Sequence, residues 1–383
     1  MLIKNVTIYQ ETDHHFGHLS IENGKIKKIY RDEPSELAQD TLVIDGAGLN
    51  LLPGFIDTHI HGAAGADVMD ATDEALTKMA SYLVSEGTTS FLATTITQSD
   101  QQIEAALSAV ANFNHQAKQA ELIGVHLEGP FVEKDKAGAQ PAQYIRKPDL
   151  ELFNKWQSIA QGKIKTITMA PEHDEDGTFI QALREQGINV SAGHTDASFA
   201  DMKKAVSVGV NQLTHLCNAM NGIHHRDIGA VGASFLLDQL KAEIIADGIH
   251  IDPAMLAIIY QNVGSDRLIL ITDAMRAKGL PDGDYELGGQ PVKVAEGRAV
   301  LEDGTLAGSI LNMIDGAKHL LQIQGVTLSD IVKMASVNPA KQIGVFERKG
   351  SIATGKDADL LLVDDQLNIH YTLCQGKIAY TGV

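Results

Sequence analysis

The residues able to do chemistry sit where apolar runs end. Asp57-Thr-His59-Ile-His61 follows Leu51-Leu-Pro-Gly-Phe-Ile56, and Glu128 closes Leu122-Ile-Gly-Val-His-Leu127. His194 follows Ile188-Asn-Val-Ser-Ala-Gly193, His215 follows Gln212-Leu-Thr214, and Asp273 ends Leu268-Ile-Leu-Ile-Thr272. Imidazole and carboxylate are the N/O ligands of a catalytic metal site, which keeps one position for water. In a strand, residues two apart share a face, so Asp57, His59 and His61 are expected to project together, with the two histidines gripping one ion. Taken singly, each residue has a plain alternative: packed histidines, a loop histidine, a helix cap or an ion-pair partner. Converging strand ends make Glu128, His194 and His215 three ligands of a divalent ion. A carboxylate is costly to bury unless it is paired or moves protons, so Asp273 is placed to take a proton from water and pass it to a leaving group. His250, after Ala246-Asp-Gly-Ile249, can donate to a substrate oxygen. His126, deeper on the strand of Glu128, reads as a packed or supporting histidine.

Such ends need a scaffold that brings them to one point. Apolar runs at 50–58, 88–95, 122–128, 164–170, 188–192, 211–215, 242–246 and 267–272 alternate with amphipathic stretches such as 74–86, 101–118, 174–186, 198–208 and 252–262. Eight βα units of this kind predict an α/β fold, a (β/α)8 TIM barrel over 53–349 whose strand ends carry the site. A doubly wound open sheet would need a glycine-rich phosphate loop after an early strand, and none is present. Short strand patterns at 1–52 and 350–383, with Asn23-Gly24 as a hairpin turn, predict a small β-sandwich domain formed from both termini. The segment near 283–307 breaks the rhythm and reads as a hairpin insertion after the eighth strand.

A chain of 383 residues with 44% hydrophobic and 21% charged residues can bury one large core and a smaller one. Its formal charge of −18 opposes nucleic acid and anionic membrane surfaces as partners. The same charge requires any phosphorylated ligand to find a local basic pocket, and His224-His225-Arg226 is such a cluster. The Arg226 guanidinium offers a planar donor fork for phosphate, with His225 beside it. Two cysteines, Cys217 and Cys374, suit a reducing compartment rather than a disulfide framework. Met1-Leu-Ile-Lys-Asn-Val-Thr-Ile-Tyr9 reads as a strand, not as a signal peptide, and no apolar stretch reaches ~18 residues, so a cytoplasmic protein is expected.

Pro53-Gly-Phe-Ile-Asp-Thr-His-Ile-His-Gly62 resembles the opening signature of the amidohydrolase superfamily. His126-Leu-Glu-Gly-Pro-Phe131, Ser191-Ala-Gly-His-Thr195, Thr214-His-Leu-Cys-Asn-Ala-Met220, Ala246-Asp-Gly-Ile-His250 and Leu306-Ala-Gly-Ser309 narrow the resemblance to its N-acetylglucosamine-6-phosphate deacetylase branch, over essentially the whole chain. The resemblance implies a homodimer and the removal of acetate from a phosphorylated amino sugar. It makes Glu128, His194 and His215 the ligands of a shared metal site, and His59 and His61 the ligands of a second ion, hence one or two ions per subunit. Such ligands suit zinc, and also iron, manganese or cobalt. Asp273 matches the catalytic acid/base and His250 the histidine near the substrate carbonyl and sugar. Asn218 and Ala219 match phosphate contacts, Arg226 a basic clamp able to serve the neighbouring subunit, and Ala139, Leu306, Ala307 and Gly308 further substrate contacts. Gln140 stands where some members have a histidine over the sugar, which makes it, like His225, a candidate either for the lid or for support behind the ligands, and Asp227-Ile228 replaces a common Glu-Pro. Two other readings remain at this level: hydrolysis of another N-acetylated sugar phosphate or cyclic amide, and a metal-free binding protein. The mark of the latter is missing ligands, and this chain keeps all of them.

Overall fold

The computed structural model describes residues 1–34 and 40–382; residues 35–39 and 383, inside the expected terminal β domain, lie outside the described residues. Eight parallel strands, β1 (Phe55–Ile60), β2 (Thr88–Thr95), β3 (Glu121–Glu128), β4 (Ile164–Met169), β5 (Asn189–Ala192), β6 (Gln212–Leu213), β7 (Lys241–Ile245) and β8 (Leu268–Ile271), pair in sequence order. The ring closes just past the strand ends, where Asp273 N–H donates to His59 O at 2.8 Å and His61 N–H to Ala274 O at 2.9 Å. Strands β2 and β8 are buried at every residue, as strands covered by core on one face and helices on the other must be. A helix follows each strand, from Asp73–Leu83 to Met313–Leu321. Several open on a side-chain cap: Thr72, Ser99, Asp149 and Ser198 each accept from the main-chain N–H three residues on. Among the described residues no helix is long and apolar enough to cross a membrane.

The barrel interior is layered. Ile56, Leu92, Ala340 and Ile343 seal its base. Above them lie buried polar side chains, among them Asn189, Gln212, Glu243, His126, Thr168 and Thr214, and above these the mouth.

The run expected as one strand over 50–58 is two. Asn50–Pro53 pairs antiparallel with Leu360–Val363 in the terminal sheet, and β1 starts at Phe55. Gly54 is the break; a Cβ there would lie 2.1 Å from Thr89 Oγ1, so only glycine lets the chain cross β2 so closely. The terminal sheet takes strands from both ends of the chain, Leu2–Tyr9 through Asn50–Pro53 and Leu360–Val363 through Lys377–Thr381. It curls over its own core of Ile3, Val6, Leu19, Leu51, Leu360 and Leu373. Ile26 N–H reaches Lys356 O, and Ala358 N–H reaches Gly24 O, each at 2.9 Å, so the sandwich is one sheet folded on itself. The insertion after β8 carries one strand more than the expected hairpin: Gly283–Leu287, Gln290–Ala295 and Arg298–Val300. Gln98 Nε2 holds Gly288 O at 3.0 Å and Gln290 Nε2 holds Ala139 O at 2.7 Å, tying the insertion to the loops after β2 and β3.

Candidate active site

Strand β1 carries a bulge. Asp57 pairs with Phe91 and Ile60 with Ala93, three steps against two. Ile60, Phe91 and Ala93 pack in the layer between barrel and helices, so Asp57 faces that layer too. There it accepts from Thr272 Oγ1 at 2.5 Å and does not join the histidines. The shared face expected for Asp57, His59 and His61 is therefore corrected: the bulge turns Asp57 outward and leaves His59 and His61 inside.

At the mouth, His59 Nε2 lies 3.4 Å from Glu128 Oε1 and 3.3 Å from Asp273 Oδ1. His61 Nε2 lies 3.3 Å from Glu128 Oε2 and 3.2 Å from Asp273 Oδ1. On the other side of Glu128, His194 and His215 bring Nε2 to 3.4 and 3.2 Å of Oε1, and those two nitrogens are 3.1 Å apart. His59, His61 and Glu128 form one group able to hold an ion, and Glu128, His194 and His215 a second, with Glu128 common to both. Burial would raise the Glu128 carboxyl, but the His59 charge and hydrogen bonds from His194, His215 and His59 hold it well below the usual range. Asp273 is likewise held at about 2: burial is overcome by the His59 charge and by His61. Burial lowers His61, yet hydrogen bonds to Asp273 and Glu128 raise it to about 9. The carboxylates thus call for positive charge at their centre.

The residues fit a divalent metal. Among the buried polar atoms without a hydrogen-bond partner are His59 Nε2, His61 Nδ1 and His215 Nδ1. The Nδ1 of His59 is taken by Glu243 Oε2 at 3.0 Å and that of His194 by Lys136 O at 2.8 Å. With Nδ1–H so used, Nε2 faces the carboxylates and must carry either a proton or a cation between them; a metal ion in place of the proton would take its lone pair. Asp273, His194 and His215 have φ of 49°, 48° and 31°. This left-handed backbone costs a non-glycine residue on the order of 1 kcal/mol or more, and such strain gathers at sites held by their surroundings. Here Asp273 is clamped on both sides, its N–H on His59 O and its carbonyl accepting from Ser309 N–H, each at 2.8 Å.

Above the cluster lies a cavity of about 320 Å³ whose lining includes Ala139, Gln140, Asn218, Ala219, His250, Leu306 and Gly308. Ala307 packs behind it against Ile96, Met275 and Leu287. His250 Nδ1 meets Asp247 Oδ2 at 2.6 Å, while Asp247 Oδ1 accepts the N–H groups of Ile249 and His250 at 2.8 Å. Burial would raise Asp247; the hydrogen bond and charge of His250 outweigh it and hold the carboxyl low.

The structure narrows two of the sequence readings. Of its two expected parts Gln140 takes the supporting one rather than the lid: it is buried, donates Nε2 to Glu128 Oε2 at 2.7 Å and accepts Thr97 N–H at 2.8 Å, which makes it a fixed brace on the shared carboxylate. Arg226 and His225 do not reach the cavity of their own chain; they line a separate depression with Phe199, Asp227 and Ile228. The physical reason is Asp227, which pairs main chain with His224 and accepts Phe199 N–H and Gly229 N–H, turning the loop outward. His126 supports rather than lines the site, its ring 4.5 Å edge-on from His59 and its Nε2 2.7 Å from Thr168 Oγ1. Burial pushes the Cys217 thiol up to about 11, so it packs as a neutral side chain.

Sequence reasoning missed Ile96, Asp135, Lys136, Leu287 and Thr305 in the lining. Nothing local marks them, because loops and the insertion bring them in. It also missed Glu243, a carboxylate inside Ala242-Glu-Ile-Ile-Ala246, which the argument applied to Asp273 would have found.

The sequence profile of the amidohydrolase family matches residues 50–379. The N-acetylglucosamine-6-phosphate deacetylase of Bacillus subtilis (strain 168) is 46% identical over 385 residues, covering 99% of this chain and 97% of that protein. The N-acetylgalactosamine-6-phosphate deacetylase of Escherichia coli O157:H7 is 35% identical over 330 residues, covering 86% and 87%. The structure of a mutant N-acetyl-D-glucosamine-6-phosphate deacetylase from Mycobacterium smegmatis, in complex with N-acetyl-D-glucosamine-6-phosphate, superposes with a TM-score of 0.92 at 30% identity, covering 100% of this chain and 99% of that one. With its profile matched over most of its length and its strand-end ligands in place, the chain belongs to the amidohydrolase family.

Proposed function

We propose that this chain removes the acetyl group from N-acetyl-D-glucosamine 6-phosphate, giving D-glucosamine 6-phosphate and acetate. The observation that carries the reading is the mouth itself: four imidazole Nε2 atoms around the Glu128 carboxylate, with a second carboxylate, Asp273, between His59 and His61. A divalent ion bound there polarises the acetamide carbonyl and acidifies water. Zinc is the first candidate, with iron, manganese or cobalt also suited, at one or both positions sharing Glu128. Asp273 Oδ takes the proton of the attacking water and returns it to the amine nitrogen as the C–N bond breaks. His250, oriented by Asp247, donates to an oxygen of the substrate carbonyl or sugar. Main chain near Asn218 and Ala219 receives the phosphate, and Ala139 and the Leu306-Ala307-Gly308 turn hold the sugar.

Arg226 and His225 point away from their own cavity, which supports a homodimer in which they reach the cavity of the neighbouring copy. Residues 53–349 form the catalytic barrel, with 1–52 and 350–383 as the β domain, in a cytoplasmic enzyme. The test is acetate release, on metal-quantified protein, from N-acetylglucosamine 6-phosphate, its galactosamine epimer and unphosphorylated N-acetylglucosamine. Turnover of the gluco phosphate well above both others is expected. Preference for the epimer would move the substrate, and turnover of none with metal bound would overturn the reading.

A further inference from the structure

Glu243 stands in mid-strand on β7, wholly buried. Burying a carboxylate is costly without compensation. No lysine or arginine is among its partners within the described residues. Instead Oε1 accepts Gln212 Nε2 at 2.7 Å, while Oε2 accepts His59 Nδ1 at 3.0 Å and His215 N–H at 3.3 Å. A single oxygen thus touches a ligand of each metal position: the ring of His59 and the strained main chain of His215. The Gln212 amide cannot flip to suit another partner. Its Oε1 accepts Asn189 Nδ2 at 2.9 Å, and Asn189 Oδ1 accepts Gln342 Nε2 at 2.7 Å. The relay runs from the metal ligand down to the helix Asn338–Gln342 that follows the barrel, and every link has a fixed direction.

We infer that Glu243 is a positioning residue that sets the His59 ring to present Nε2 and ties the two metal positions together. The inference rests on the proposed metal site. Its logic makes the isosteric Glu243→Gln informative. The Gln212 donor requires an oxygen at the Oε1 place, so the new amide nitrogen must occupy the Oε2 place. There it opposes two donors, His59 Nδ1–H and His215 N–H, and drives the His59 proton to Nε2, where a metal ligand needs a lone pair. Exchanging the two side chains, Glu243→Gln with Gln212→Glu, restores the match: Glu at 212 accepts from Asn189 and from the new amide, which then turns its oxygen to His59.

The experiment is zinc affinity by chelator competition on wild type, E243Q and the exchanged pair E243Q/Q212E. NMR of the zinc-loaded proteins is recorded beside it, for the slowly exchanging hydrogen-bonded Nδ1 proton of His59. Orienting partners of metal ligands are typically worth about 10–100-fold in affinity, so a loss of that size is expected for E243Q, together with loss of that proton. The exchanged pair should return to within about threefold of wild type with the proton restored. Wild-type affinity in E243Q, or a loss the exchange does not repair, overturns the inference. Should E243Q fail to fold, the exchanged pair decides alone: near wild-type zinc affinity with the His59 Nδ1 proton present supports the role, and loss of either overturns it. Acetate release is measured on the same samples. An inactive wild type whose zinc affinity still follows this pattern would sink the proposed reaction and leave the role of Glu243 standing.

Discussion

At the scale of single residues, the site is a balance between carboxylates that need positive charge and imidazoles turned to present lone pairs. Asp273 lies against both His59 and His61 and is kept ionised by them. Asp273→Asn keeps the shape and removes the proton acceptor, so kcat is expected to fall by ~10²–10⁴-fold while zinc remains bound. Steady-state kinetics beside metal analysis checks this, and near-normal kcat would remove Asp273 from the proton path. Gln140→Leu strips the brace from Glu128 and leaves Thr97 N–H unpaired. An unsatisfied buried group costs ~1–3 kcal/mol, so a lower melting temperature and metal affinity reduced ~10-fold or more are expected. Unchanged metal affinity in that variant would return Gln140 to the part of a simple wall residue. Glu128, His194, His215 and Asp273 were legible because each ends an apolar run. Glu243 was legible by the same reasoning, as a carboxylate inside an apolar run, and was overlooked; the outward turn of Asp57 was not, since a bulge leaves no mark on the period-two pattern.

At the scale of elements, the barrel strands were legible as apolar runs, most of them to within a residue or two at each end, but the start of β1 was not. The run at 50–58 hides two strands because Gly54, a single residue without a side chain, lets the chain change sheets. The added strand of the insertion comes from the run 285–294, which the turn at Gly288-Gly289 divides into Gly283–Leu287 and Gln290–Ala295. Close approach also governs the end of β5. A Cβ on Gly193 would lie 2.6 Å from Thr214 Cβ and 2.9 Å from Thr168 Cγ2, both on neighbouring strands. Gly193→Ala must therefore push β5 away from β4 or β6 and carry His194 with it. Overpacking of this kind costs ~1–3 kcal/mol. Soluble protein with metal affinity lowered at least ~10-fold is the expected result, and a variant that holds metal as wild type does would show that the strand end yields without moving its ligand.

At the scale of the whole molecule, an ionic network fastens the terminal sheet to the barrel. Glu121, at the start of β3, takes two bonds of 2.8 Å from Arg348 and one of 2.8 Å from Lys349. Arg348 also reaches Asp357 at 2.7 Å, and Lys349 pairs with Asp359. Burial would raise Glu121, but the Arg348 and Lys349 partners carry it down to about 2, from an ordinary 4.5. A depressed carboxyl contributes stability that is full above its unfolded value and is lost as pH falls toward the folded one. Wild type should therefore lose melting temperature between pH 4.5 and 2, and Glu121→Gln should flatten that part of the profile; a parallel profile would clear Glu121 of the effect. The proposed dimer belongs to this scale as well. Mixing inactive Arg226→Ala and Asp273→Asn subunits should recover turnover, because one cavity of each mixed pair then holds both side chains; no recovery would sink the shared cavity. The network was not legible in the sequence, since it joins Glu121 to residues far along the chain, whereas the dimer was expected only through the family resemblance. The sheet built from both chain ends has a further consequence, for biosynthesis. Asn50–Pro53 pairs with Leu360–Val363, so during synthesis the earlier strand waits with an open edge while the whole barrel between them is made, and the two pair only after the barrel has been translated.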